Sequence, residues 1–96
     1  MAKIIVFGLP KTGNGKEPLL KLKEALVSIG NDHNTVYFSD DLTGNELNLQ
    51  CTCLIFPDPM SNGRRVFKEH IQRTFAEYFK GVRSVRVDVV FFTPYL

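Results

Sequence analysis

The feature that most narrows what this chain can become is Ile4-Ile5-Val6-Phe7, a continuous apolar and largely β-branched run close to the start of the sequence. Successive side chains of a strand point to opposite sides, so such a run suits a strand covered on both faces rather than a solvated edge. Burying it carries the chain terminus to the rim of a core. An amine held there, partly shielded from water, can act as a base or a nucleophile. Gly8-Leu9-Pro10 closes the run, and the residues downstream have to supply its neighbours and its cover.

They do so in a regular order. Lys11-Thr12-Gly13-Asn14-Gly15 is a turn-rich loop, and a helix is expected from about Lys16 to Ile29. Pro18 fits its first turn, where a missing N–H costs nothing. Leu19, Leu20, Leu22, Ala25, Leu26 and Ile29 recur at helical spacing, with Lys21, Lys23 and Glu24 on the other side and Gly30-Asn31 at the end. Thr35 to Ser39 reads as a short strand, and Asp40 to Asn48 as a polar linker. Leu49 to Pro57 is the third strand, stopped by Pro57 and Pro59. Ser61 or Asn62 can cap a second helix reaching about Lys80, with Phe67, Ile71, Phe75 and Tyr78 on one face and Gly81 beyond. In the last strand, Val85 to Thr93, Val85, Val87 and Val89 alternate with Arg86 and Asp88.

The order is β-α-β, a linker, then β-α-β: a single α/β domain over 1–96 with halves at about 1–39 and 49–96. Each crossover has room for one helix, which favours parallel pairing within a half. Both helices then cover one face of a four-stranded sheet. The other face keeps apolar side chains with no helix to hide them, and further copies of the chain are the economical cover. At 96 residues, with eight Phe and three Tyr, some rings fall between subunits on this reading.

Other classes are set aside on composition. A net charge of +2 is too weak to argue for nucleic acid. No apolar run approaches a membrane span and no signal-peptide pattern is present, so a cytoplasmic protein is expected. No motif calls for a cofactor or a metal. Cys51 and Cys53 lie two apart on a strand, about 7 Å from one another on the same face, and read as buried thiols rather than a disulfide or half a zinc site. His33, in a loop, and His70, within a helix, have no nucleophile, cysteine or carboxylate cluster near them in sequence and read as solvated or capping residues. Arg64, Arg65, Lys68 and Arg73 read as a solvated helix face. A phosphate-loop reading of Gly8, Gly13, Gly15 and Lys16 fails on spacing, because Pro10 stands at the first glycine of the pattern and Glu17 replaces the hydroxyl residue after the lysine. A weaker form of it, anion binding at the first helix start beside Lys11 and Lys16, competes with a plain basic loop.

The terminal strand followed by Leu9-Pro10, the helix ending Ile29-Gly30-Asn31, the strand Cys51 to Phe56 and the final Val87-Asp88-Val89-Val90-Phe91-Phe92 together resemble the tautomerase superfamily, in particular its longer branch around macrophage migration inhibitory factor. The resemblance covers nearly the whole chain and implies two β-α-β units, a homotrimer, and keto–enol isomerisation of a small carbonyl or carboxylate compound. Family members use an amino-terminal proline as base. Here the second residue is Ala2, so the resemblance implies a primary amine in that role if Met1 is removed, with a reference pKa of about 7.7–8.0. It implies a pocket walled by Asn31, Thr35 and Phe56, with Phe92 and Tyr95 from a neighbouring subunit. Members often add a cation to hold a carboxylate or polarise a carbonyl. Neither Asn31 nor Asp58 is cationic, and Lys3 is the one residue that could stand in. The departure at Ala2 points to a degenerate member. The alternative that keeps the same element order is a ferredoxin-like binding or assembly module, which would have an antiparallel sheet and no catalysis.

Overall fold

The computed structural model describes residues 2–9, 17–29, 33–39, 48–56 and 61–92. They form β1 (Lys3–Phe7), α1 (Glu17–Val27), β2 (Thr35–Phe38), β3 (Asn48–Phe56), α2 (Ser61–Tyr78) and β4 (Ser84–Phe91). Every element expected from the sequence is present, with bounds shifted by no more than two residues.

The strands make one sheet in the order β2-β1-β3-β4. β1 and β2 are parallel, with Ile4 beside Val36. β3 and β4 are parallel, with Cys53 beside Val89. The two halves meet through the antiparallel pair β1–β3, in which Ile5 lies opposite Leu54. Each half is therefore a parallel β-α-β unit. The antiparallel sheet of the ferredoxin-like alternative is not formed, because the two strands of each half lie side by side in parallel and are not interleaved with strands of the other half.

One face of the sheet carries the core. Ile4 and Val6 of β1, Val36 of β2, Leu49, Cys51, Cys53 and Ile55 of β3 and Val87 of β4 are buried together with Leu22, Leu26 and Ile29 from α1 and its end, and Ile71, Phe75 and Phe79 from α2 and its end. Both helices thus share this face. The stripe Leu19, Leu22, Leu26, Ile29 does the packing in α1, while Leu20 lies off it at 57% exposure. Its place in the apolar set does not hold, since a helix turns about 100° per residue and the stripe is already filled. β1, expected to be covered on both faces, is covered on one: Ile4 and Val6 are fully buried, Ile5 and Phe7 only partly.

The strand end at Gly8 is tightly constrained. Gly8 adopts φ +85°, and a Cβ built there would stand 2.6 Å from the backbone oxygen of Gln50. Glycine is required on both counts, because the left-handed region is costly for other residues and the clash is with backbone. Gly8→Ala is expected to lower unfolding free energy by roughly 2 kcal/mol or more. An unchanged midpoint in chemical denaturation would contradict this account of the turn.

Candidate functional site

Strand alternation sends the remaining side chains to the face without helices. Pairing then sorts them into rows. Thr35, Lys3 and Phe56 are cross-strand neighbours. The hydrogen bond from Phe92 N to Ile55 O, 2.8 Å, carries the β3–β4 ladder one step further and sets Phe92 beside Phe56. The next row is Tyr37, Ile5, Leu54 and Val90, one residue from each strand. Beyond it stand Phe7, Thr52 and Asp88, then Gln50 and Arg86. Tyr37, Val90 and Phe92 are 53%, 42% and 58% exposed, which is high for apolar side chains sharing one surface.

The first row is the candidate site. Lys3 reads in sequence as a solvated strand-start residue or a stand-in cation. In the structure its Nζ lies 5.7 Å from the centre of the Phe56 ring, a cation–π contact on the open face. The row therefore combines a positive charge, two aromatic walls in Phe56 and Phe92, and a hydroxyl residue in Thr35. Thr35, Phe56 and Phe92, which the tautomerase resemblance implies, fall in one row of a single chain, whereas that resemblance takes Phe92 from a neighbouring subunit. Asn31 and Tyr95 lie outside the described residues, as does Met1.

Ala2 precedes Lys3 along the chain, and strand alternation turns its side chain to the other face, where it packs against the core; the sequence does not reveal what holds it. Its backbone nitrogen donates to Asn34 Oδ1 at 3.2 Å. The Asn34 side chain is buried, and its Nδ2 donates to Leu26 O at 3.0 Å and Ile29 O at 2.9 Å. The Asn34 backbone N–H reaches Val27 O at 3.0 Å, and Thr35 N–H reaches Ala2 O at 2.8 Å. One amide side chain therefore ties the start of β1 to the end of α1 and the entry to β2. The sequence signal was slight: an asparagine just before a strand, where a helix end leaves carbonyls without partners. Carbonyl oxygen accepting from the Ala2 nitrogen favours an N–H there, and in a free amine it would stabilise the ammonium over the neutral base.

The thiols are free and buried as expected. Burial pushes Cys51 up to about 11, and burial with its neighbour Cys51 pushes Cys53 up to about 12. Cys51 Sγ also faces Gly8 O at 3.6 Å. These groups lie on the helix face, on the other side of the sheet from the candidate row, and are packing residues. His33 and His70 are exposed, and Arg65 pairs with Glu69 at 3.3 Å on the outer side of α2. No described helix is long and apolar enough to cross a membrane.

Comparisons with protein-family models, curated proteins and solved structures find no match to this chain.

Two outcomes follow from this geometry. Asn34→Ala strands the Leu26 and Ile29 carbonyls and the Ala2 N–H, and should cost about 2–4 kcal/mol by denaturant titration, with Asn34→Asp also destabilising because a carboxylate cannot donate to carbonyls. A loss within a few tenths of a kcal/mol would mean that water replaces the amide. For the thiols, the folded state holds its protons to higher pH than the unfolded chain does. Stability is therefore full below about pH 8.5, the unfolded thiol value, and falls as pH rises through that window toward 11–12. At pH 8 the folded protein carries roughly a hundredfold less Cys51 thiolate than the unfolded chain, so alkylation should require unfolding. Fast labelling of the native protein would contradict the burial.

Proposed function

We propose that this chain is a tautomerase-like protein of degenerate type, working on a small carbonyl compound at the row Thr35–Lys3–Phe56–Phe92 and assembled as a homotrimer through its open sheet face. The observation that carries the reading is the Lys3 ammonium 5.7 Å from the Phe56 ring, in a row with Thr35 and Phe92 and one residue along the chain from the Ala2 nitrogen. The resemblance across both β-α-β units supports it. In a chain that begins at Ala2, this nitrogen is a primary amine with three N–H bonds when protonated. One points to Asn34, and the others are left for exchange with substrate. As a neutral base the amine takes a proton from the carbon next to the carbonyl, the Lys3 ammonium offsets the negative charge that develops on the enolate oxygen, and the ammonium returns the proton to that oxygen or to carbon. Phe56 and Phe92 supply an apolar wall against which such a compound packs.

A second reading, a non-catalytic binding or assembly module, is favoured by one contact. The bond from Ala2 to Asn34 Oδ1 stabilises the protonated amine and so works against a base.

Intact mass, light scattering and an enol–keto assay with a phenylpyruvate-type substrate distinguish the two. The catalytic reading predicts a chain lacking Met1, a particle containing a multiple of three chains, and isomerisation that falls at least about tenfold in Lys3→Gln, the loss of one charge-assisted contact. A retained Met1 with no isomerisation would overturn it and leave the binding module.

A further inference from the structure

β4 is an outer strand of the sheet, eight residues long and free of proline. Strands of this kind are templates for pairing with another chain unless something blocks them. Hydrogen-bond parity shows which groups are available. Phe92 N–H points inward to Ile55 O. In a parallel ladder alternate residues turn both backbone groups to the same side, so Arg86, Asp88 and Val90 also face β3, and Val85, Val87 and Val89 face outward. The bond from Gln72 Nε2 to Val87 O, 3.1 Å, agrees, because that carbonyl is reached from outside the ladder. A groove of about 250 Å3 runs along this edge, lined by Gln72 and residues Val85, Arg86, Val87 and Asp88. Among the described residues no strand fills it.

The sequence of the edge is self-complementary. Val85-Arg86-Val87-Asp88-Val89 reads as the same apolar and charge pattern from either end, with the two charges exchanged. We propose that the outer edge of β4 pairs antiparallel with the same edge of a second copy about a two-fold axis at Val87. Val87 then lies opposite Val87 of the second copy, and Val85 opposite Val89, as hydrogen-bonded pairs, which is the register that the outward parity of these residues demands. Arg86 falls opposite Asp88 of the second copy, and Asp88 opposite Arg86, in the closer non-hydrogen-bonded sites. Both charged side chains are on the open face, already 3.5 Å apart within one chain and both well exposed. The pairing turns one ion pair per chain into a four-charge cluster across the axis. The Val87 carbonyl keeps a lone pair for the incoming N–H while Gln72 occupies the other. A register slipped by two residues would set Arg86 opposite itself or Asp88 opposite itself, so the charges also select the register.

This interface uses a strand edge, not the open face, and is independent of the proton-transfer reading. Its test is a set of charge reversals followed by native mass spectrometry and light scattering. The wild-type particle is expected to contain an even number of chains: two, or six if the open face also joins three. Arg86→Asp and Asp88→Arg each place like charges opposite one another and should halve the particle. Mixing these two variants should restore it as a mixed species, since every Asp then meets an Arg, and the double exchange R86D/D88R should restore it in a single chain. Circular dichroism checks that each variant folds. The Val87 amide should exchange with deuterium more slowly in the wild-type particle than in either half-sized variant. A wild-type particle with an odd number of chains, single variants of unchanged mass, or a mixture that fails to re-form would overturn the proposal.

Discussion

Everything else in this molecule hangs on the antiparallel junction between β1 and β3. Each β-α-β half can bury only part of its apolar surface, because two strands and one helix leave a strand edge and a helix flank in water. Joining β1 to β3 removes both central edges and places Ile4 and Val6 next to Cys53 and Ile55 under the two helices, all at 0% exposure. The same junction aligns Lys3 with Phe56 and Ile5 with Leu54 on the opposite face. Core and candidate site are therefore two sides of one pairing. A one-residue slip would exchange them.

The two faces and the two edges are unequal. The helix face is closed by α1 and α2, down to thiols that burial holds in their neutral form. The open face carries an apolar row from Tyr37 through Ile5 and Leu54 to Val90, more than a solitary small domain gains by exposing. Its end row differs in kind, since a charge stands among rings there. At the edges, β2 is short and β4 long, so β4 is the strand with backbone groups to offer. These asymmetries leave two surfaces on which another copy could seat, the open face and the edge of β4, and the candidate row lies at one end of the first.

Much of the fold was legible from residue patterns. The valines of β4 alternate with charges and declare a strand with unlike faces, and the stripe through Leu22 and Leu26 declares an amphipathic helix. Leu20 was misplaced because an apolar residue beside a stripe looks the same in sequence as one within it. The candidate site was legible only in pieces. Thr35, Phe56 and Phe92 came from a resemblance. Lys3 and Phe56 are far apart in the chain, and only the register of β1 on β3 makes them neighbours. Asn34 was missed because its task, satisfying the end of one helix while holding the start of a strand, is defined by three segments at once. The self-complementary stretch around Val87 could be read from the start, but its meaning depends on β4 lying at the edge of the sheet, which sheet order alone decides.

The central claim is that the open face of the sheet is an interior surface of an assembly. Methyl NMR with a soluble paramagnetic probe tests it most directly, because Ile5, Leu54 and Val90 report on that face while Ile4 and Ile55 report on the core. The account predicts that in the native particle the first three are shielded from the probe nearly as well as the last two, and become exposed when the particle is diluted to single chains. Strong relaxation of Ile5, Leu54 and Val90 at every concentration, with Ile4 and Ile55 protected, would contradict it.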